Sequence, residues 1–167
     1  MSSSPKLQFR AHTNPPAGRA RPRSNGGRQS GAGFTPGLLR QLHALIRTIE
    51  TTPVEDGMTH LGEQFVTQMI ASHGPEAVAT AILQETSGAL LAELLRLIGR
   101  VPVNNQSVRR KLIKAGLANA SVQVRDAAVQ AVALWEDSTC IDLLCQHREP
   151  VGWLANYIQG VIEDLDG

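Results

Sequence analysis

At 167 residues the chain is long enough for one domain with its own core, and it is 42% apolar but only 4% aromatic. An aliphatic, alanine-rich composition of that kind suits packed helices better than β-sandwiches, whose strands favour aromatic and β-branched side chains. The net charge of +1 conceals an asymmetry: residues 1–34 carry Lys6, Arg10, Arg19, Arg21, Arg23 and Arg28 with no acid, while the rest holds ten basic and fifteen acidic residues. The longest apolar runs fall far short of about 18 residues, so no transmembrane span is expected. The N-terminus also lacks the apolar core of a secretory signal.

Residues 1–33 are rich in Ser, Pro, Gly, Asn and Arg, with Leu7 and Phe9 the only large apolar side chains. Such a segment cannot bury enough surface to offset its conformational entropy, so residues 1–34 are expected to form a disordered basic arm. Order should begin at Thr35-Pro36, an N-cap followed by proline at the first helical position. A stripe of Leu38, Leu42, Leu45 and Ile49 then predicts a helix to about residue 49. A second helix is predicted over 58–72 with Leu61, Phe65, Val66, Met69 and Ile70 inward, a third over 75–85 and a fourth over 88–100. In the fourth, leucines and Ile98 spread over most of the circumference, which predicts the most enclosed helix.

The fifth helix is expected from Asn105 or Ser107 to about Ala118, with Val108, Leu112 and Ala115 inward. The sixth, over 121–136, presents Val124, Ala127, Ala128, Ala131, Val132 and Trp135 on one broad face. Its alanines would let a neighbouring helix approach closely. Asp137-Ser138 caps a short seventh helix, and an eighth over 149–165 uses Trp153, Leu154, Tyr157, Ile158, Val161, Ile162 and Leu165. No segment alternates with period two, so no sheet is expected.

Two weakly similar units recur, one pairing 105–118 with 121–136 and the other 138–146 with 149–165. Their second helices begin about thirty residues apart, near the period of short helical repeats. The order small-Leu-x-Asn-x-Ser-x-x-Val-Arg-x-Ala-Ala-x-x-Ala from Gly116 to Ala131 resembles the HEAT repeat, a pair of antiparallel helices that stacks into an α-solenoid. The resemblance implies an all-α domain over 35–167, with a helical part at 35–100 and two HEAT-like hairpins at 105–165. It also implies that Arg125 ties neighbouring turns together. The family usually has aspartate where Asn119 stands; Asn119 accepts a hydrogen bond but brings no charge.

No catalytic chemistry is visible. His12, His43, His60, His73 and His147 show no metal-ligand spacing, Cys140 and Cys145 form no CxxC, and nucleophile and phosphate motifs are missing. Neither catalytic residues, cofactor nor metal is therefore expected, and the two cysteines are read as core or half-buried thiols of a reducing, cytoplasmic compartment. An acid-free N-terminus keeps export or organelle targeting open as an alternative. Arg109, Arg110, Lys111 and Lys114 form a candidate basic binding patch; Asn119, Arg125, Trp135, Trp153 and Tyr157 are read as structural, although an exposed Trp153 or Tyr157 would be a protein-contact anchor. The leading reading is a non-catalytic helical scaffold that binds a protein partner through helix faces. The alternative is a nucleic-acid-associated protein using the arm and the Arg109–Lys114 patch. A chain beginning at Gly33 is expected to keep the thermal transition of the full chain; a loss of several degrees would show that the arm supports the fold.

Overall fold

The helix starts follow from local chemistry. Thr35 caps the first helix, α1 (Pro36–Thr51), its hydroxyl accepting from the Leu38 N–H at 3.3 Å. Asn105 does the same for α5 (Gln106–Leu117) through the Val108 N–H at 3.0 Å. Glycine at Gly74 and Pro75 separate α2 (Leu61–His73) from α3 (Pro75–Glu85). Then come α4 (Gly88–Gly99), α6 (Val122–Trp135), a 3-10 turn over Ser138–Cys140, α7 (Ile141–Gln146) and α8 (Gly152–Asp166). This computed structural model describes residues 33–55 and 57–167, and the described residues are all-helical with no strand. The basic arm lies outside the described residues except for its last two, and of these Phe34 packs against the core instead of belonging to a tail.

Two helix starts differ from the sequence reading. α2 starts at Leu61 and not at 58, because His60 acts as its cap: its Nδ1 accepts from the Gly62 N–H at 2.9 Å, and Glu63 accepts from the His60 N–H at 3.1 Å. Leu61 consequently points outward and Phe65 is half-buried, leaving Val66 and Met69 as the inward residues. α8 starts at Gly152, three residues late, since Glu149 and Pro150 are used in the turn before it.

Successive helices pair as α1 with α2, α3 with α4, α5 with α6 and α7 with α8. Contacts also run between alternate helices, α1–α3–α5–α7 in one row and α2–α4–α6–α8 in another. The most extensive contact joins α4 and α6. Leu94, Leu95, Leu97 and Ile98 of α4 are fully buried, as the enclosed stripe predicted, and meet a face of α6 built from Val124, Ala127, Ala128, Ala131 and Val132.

Small residues set the spacing at α6. A Cβ on Gly99 would stand 2.9 Å from the Ala131 Cα, and one on Gly116 would stand 2.6 Å from the Ala128 Cβ. Two glycines thus let α4 and α5 press onto α6 from two sides. At the far end of α6, Trp135 donates its indole N–H to the Val101 carbonyl at 3.1 Å and stacks under the Arg109 guanidinium at 5.3 Å. Glu136 then ends the helix in the left-handed region, φ 49°, where a side chain costs about 1 kcal/mol relative to glycine.

The spacing leads to opposite outcomes for one substitution at two sites. Gly160 is inside α8 with nothing near its missing Cβ. Gly160→Ala should raise stability by about 0.5–1 kcal/mol through helix propensity alone. Gly116→Ala gains the same propensity but collides with Ala128, so it should lose about 1–3 kcal/mol in urea unfolding. Equal effects at the two sites would contradict the close approach.

Candidate functional site

The Arg125 side chain makes four hydrogen bonds among the described residues. Val124 and Ala128 anchor its helix inward, which brings the guanidinium to the turn between α5 and α6. There its Nη1 donates to the carbonyls of Asn119 at 3.0 Å and Ala120 at 2.9 Å. The expected tie to the Asn119 turn is therefore present. The Asn119 side chain itself stays local, its Oδ1 accepting from the Ser121 N–H at 2.9 Å. The charge comes instead from Glu149, in the turn between α7 and α8, which receives Nε and Nη2 at 2.7 and 2.8 Å. Glu149 also accepts from the Val151 N–H and lies 3.0 Å from His147 Nε2. Its side chain is only 2% exposed. The Arg125 fork, with help from His147 and the Val151 N–H, holds the carboxyl down at about 2 despite its burial. One residue of α6 thereby joins two inter-helix turns. Sequence reasoning missed Glu149 because its partner lies 24 positions away and no local pattern marks the pair.

The candidate basic patch does not stand free. Arg109 donates to the Val103 carbonyl at 2.6 Å and pairs with Asp137 at 3.2 Å. Burial alone would raise the Asp137 carboxyl, yet bonds from Thr139 and Arg109 hold it below the usual range. Arg110 grips Asp142 of α7 with two bonds of 2.6 and 2.7 Å, and Lys111 pairs with Glu76 of α3. Only Lys114 of the four is without an ion pair among the described residues. Three of the four cations are thus paired with carboxylates elsewhere in the domain.

A different face carries unspent apolar surface. Leu134 of α6 and Trp153 of α8 are each 56% exposed, and Tyr157 is 36% exposed. Trp153 was expected to pack, but it sits in the first turn of α8, one turn before Tyr157 on the same side, and reaches solvent. Between the even-numbered helices runs a groove of about 450 Å³ lined by Arg96, Arg100, Gln130, Ala133, Leu134 and Tyr157. Its arginines are engaged: Arg96 with Glu93 at 2.6 Å and Asp126 at 3.6 Å, Arg100 with Glu63 at 3.7 Å and with the carbonyls of Met58 and Glu55. A second groove of about 430 Å³, lined by Glu136, Ser138, Val161, Asp164 and Leu165, shares Ala133 with the first. Leu134 escaped the sequence reading because its position between inward Ala131 and Trp135 gives no sign that it projects outward.

Among the described residues, no group of three or more His, Cys, Asp or Glu is placed to hold a metal ion. Cys140 is buried, and that burial, aided by Asp137, pushes its thiol up to about 11, away from nucleophilic chemistry; Cys145 is exposed, not half-buried as expected. His60 and His73 act in structure: His60 Nε2 donates to the Thr52 carbonyl at 2.7 Å, and His73 Nε2 meets Gln41 at 3.0 Å. No helix of the described residues is long and apolar enough to cross a membrane. No family model, curated protein or solved structure matches the chain.

The Arg125–Glu149 pair gives a signed prediction. Because the Glu149 carboxyl is depressed from its usual 4.5 to about 2, its contribution is complete above pH 4.5 and disappears as pH falls toward 2. That contribution is about 3 kcal/mol at neutral pH. Arg125→Ala, which strands a buried carboxylate, should cost about 3–5 kcal/mol in chemical unfolding at pH 7. The stability gap between the native chain and Glu149→Gln should narrow steadily from pH 4.5 to 2, and a gap that stays constant would contradict the pairing.

Proposed function

We propose that this chain is a non-catalytic helical-repeat scaffold that binds a protein partner through the outward face of α4, α6 and α8. The observation that carries the reading is the exposure of Leu134 and Tyr157, which line one groove, with Trp153 exposed one turn before Tyr157 on α8. Large aromatic and aliphatic side chains held on rigid helices beside arginines are the residue types that dominate protein interfaces. The HEAT-like reading draws support from the alternate-helix contacts and from Arg125, which links the turn of one hairpin to the turn of the next. Stacked hairpins of this kind place their second helices in a row and so present an extended surface.

The nucleic-acid alternative loses ground on charge. Three of its four patch residues are paired with carboxylates, so phosphate binding would have to break Arg109–Asp137, Arg110–Asp142 and Lys111–Glu76. The body as a whole is acidic.

Two measurements separate these readings. Proteins captured by the full chain are purified and titrated against native chain, Trp153→Ala and Leu134→Glu. Affinity should fall at least about 10-fold for each variant, a typical penalty for an interface anchor, while thermal midpoints stay within a few degrees. In parallel, generic duplex DNA should bind only weakly near physiological salt, with no dependence on Arg110, Lys111 and Lys114. Full-affinity partner binding by both variants, or submicromolar and patch-dependent DNA binding, would overturn the reading.

A further inference from the structure

The groove between α6 and α8 changes character along its length. Its middle is apolar, with Ala133, Leu134, Tyr157 and Val161. Its far end holds Glu136 and Asp164, and neither carboxylate has a hydrogen bond or ion pair among the described residues. On the α4 side the groove's arginines, Arg96 and Arg100, are occupied by Glu93, Asp126 and Glu63. The unanswered charge of this surface is therefore negative. Two helix C-termini add to it: α6 ends at Trp135 and α8 at Asp166, both near the same end, where carbonyl dipoles favour cations.

Resting on the protein-binding reading above, we infer that the partner segment is an amphipathic basic helix. Its apolar stripe lies along Leu134 and Tyr157, and its lysines or arginines meet Glu136 and Asp164. The dimensions agree. From Trp153 to Asp164 the α8 face extends eleven residues, about 16 Å or three turns, which matches an i, i+3/i+4, i+7 set of apolar anchors. Charge complementarity selects the partner's sign: an acidic helix would place its carboxylates against Glu136 and Asp164, whereas a basic one neutralises both. A guest cation near Arg96 and Arg100 meets no net positive field, since those guanidiniums are already matched.

Glu136 offers a clean handle because its role in folding and its role in binding have opposite signs. It occupies a left-handed position that suits glycine, so Glu136→Gly should keep or raise the thermal midpoint. A loss of binding in that variant cannot then be ascribed to unfolding.

The test uses the full chain and three labelled synthetic peptides of about 18 residues, five helical turns. All share one leucine stripe; their polar faces carry lysine, glutamine or glutamate. Fluorescence anisotropy at about 0.15 M salt should rank them lysine, glutamine, glutamate, with about 10-fold or more between the first and last. Glu136→Gly combined with Asp164→Asn should shrink that span to about 2-fold, while Leu134→Glu should weaken the lysine and glutamine peptides alike. Equal binding of all three peptides, still lost in Leu134→Glu, would overturn the basic partner and leave the groove reading standing. Binding indifferent to Leu134→Glu, or no binding by any peptide, would overturn both.

Discussion

The domain depends on how closely α4 and α5 come to α6. That approach is possible because Gly99 and Gly116 face Ala131 and Ala128 with no Cβ of their own. Dispersion and burial grow as backbones near one another, so a seam of glycine and alanine achieves dense packing with little side-chain entropy to lose. The leucines of α4 fill the space on either side of the seam. Both ends of α6 are tied to neighbouring turns. Arg125 reaches from its first turn to Glu149, and Trp135 reaches from its last turn to the Val101 carbonyl.

A consequence follows for where binding can occur. Three cations of α5 are paired within the domain: Lys111 with Glu76, Arg110 with Asp142 and Arg109 with Asp137. These pairs orient neighbouring helices. The even-numbered row buries its small residues on one side and leaves Leu134, Trp153 and Tyr157 on the other. α6 thus has two unlike faces, one buried against its neighbours and one that carries the exposed Leu134.

Much of the fold was legible in the sequence because its helices are punctuated by residues with strong local meaning. Thr35-Pro36, Gly74-Pro75, Asn105 and Asp137 mark starts and stops that need no tertiary information. The alanine face of α6 and the Arg125 tie to the Asn119 turn were visible for the same reason. What escaped was set by distant partners. His60 displaced the start of α2 by capping it, and Glu149 supplied the charge that Asn119 lacks. The basic run on α5 looked like a binding surface because the carboxylates that answer it lie 28 to 35 positions away. Trp153 looked like core because helical period alone cannot say which faces of a terminal helix find a neighbour.

The most direct test of α6 as the organising element is native-state hydrogen exchange followed residue by residue. If the glycine–alanine seam carries the fold, the amides of Ala127 to Val132 should exchange only through global unfolding, together with those of Leu94 to Ile98 in α4. The amides of α1 and α8 should exchange earlier, through local opening at the ends of the array. Faster exchange in the middle of α6 than in α1 or α8 would contradict the account, because the helix that holds the others would then be opening before them.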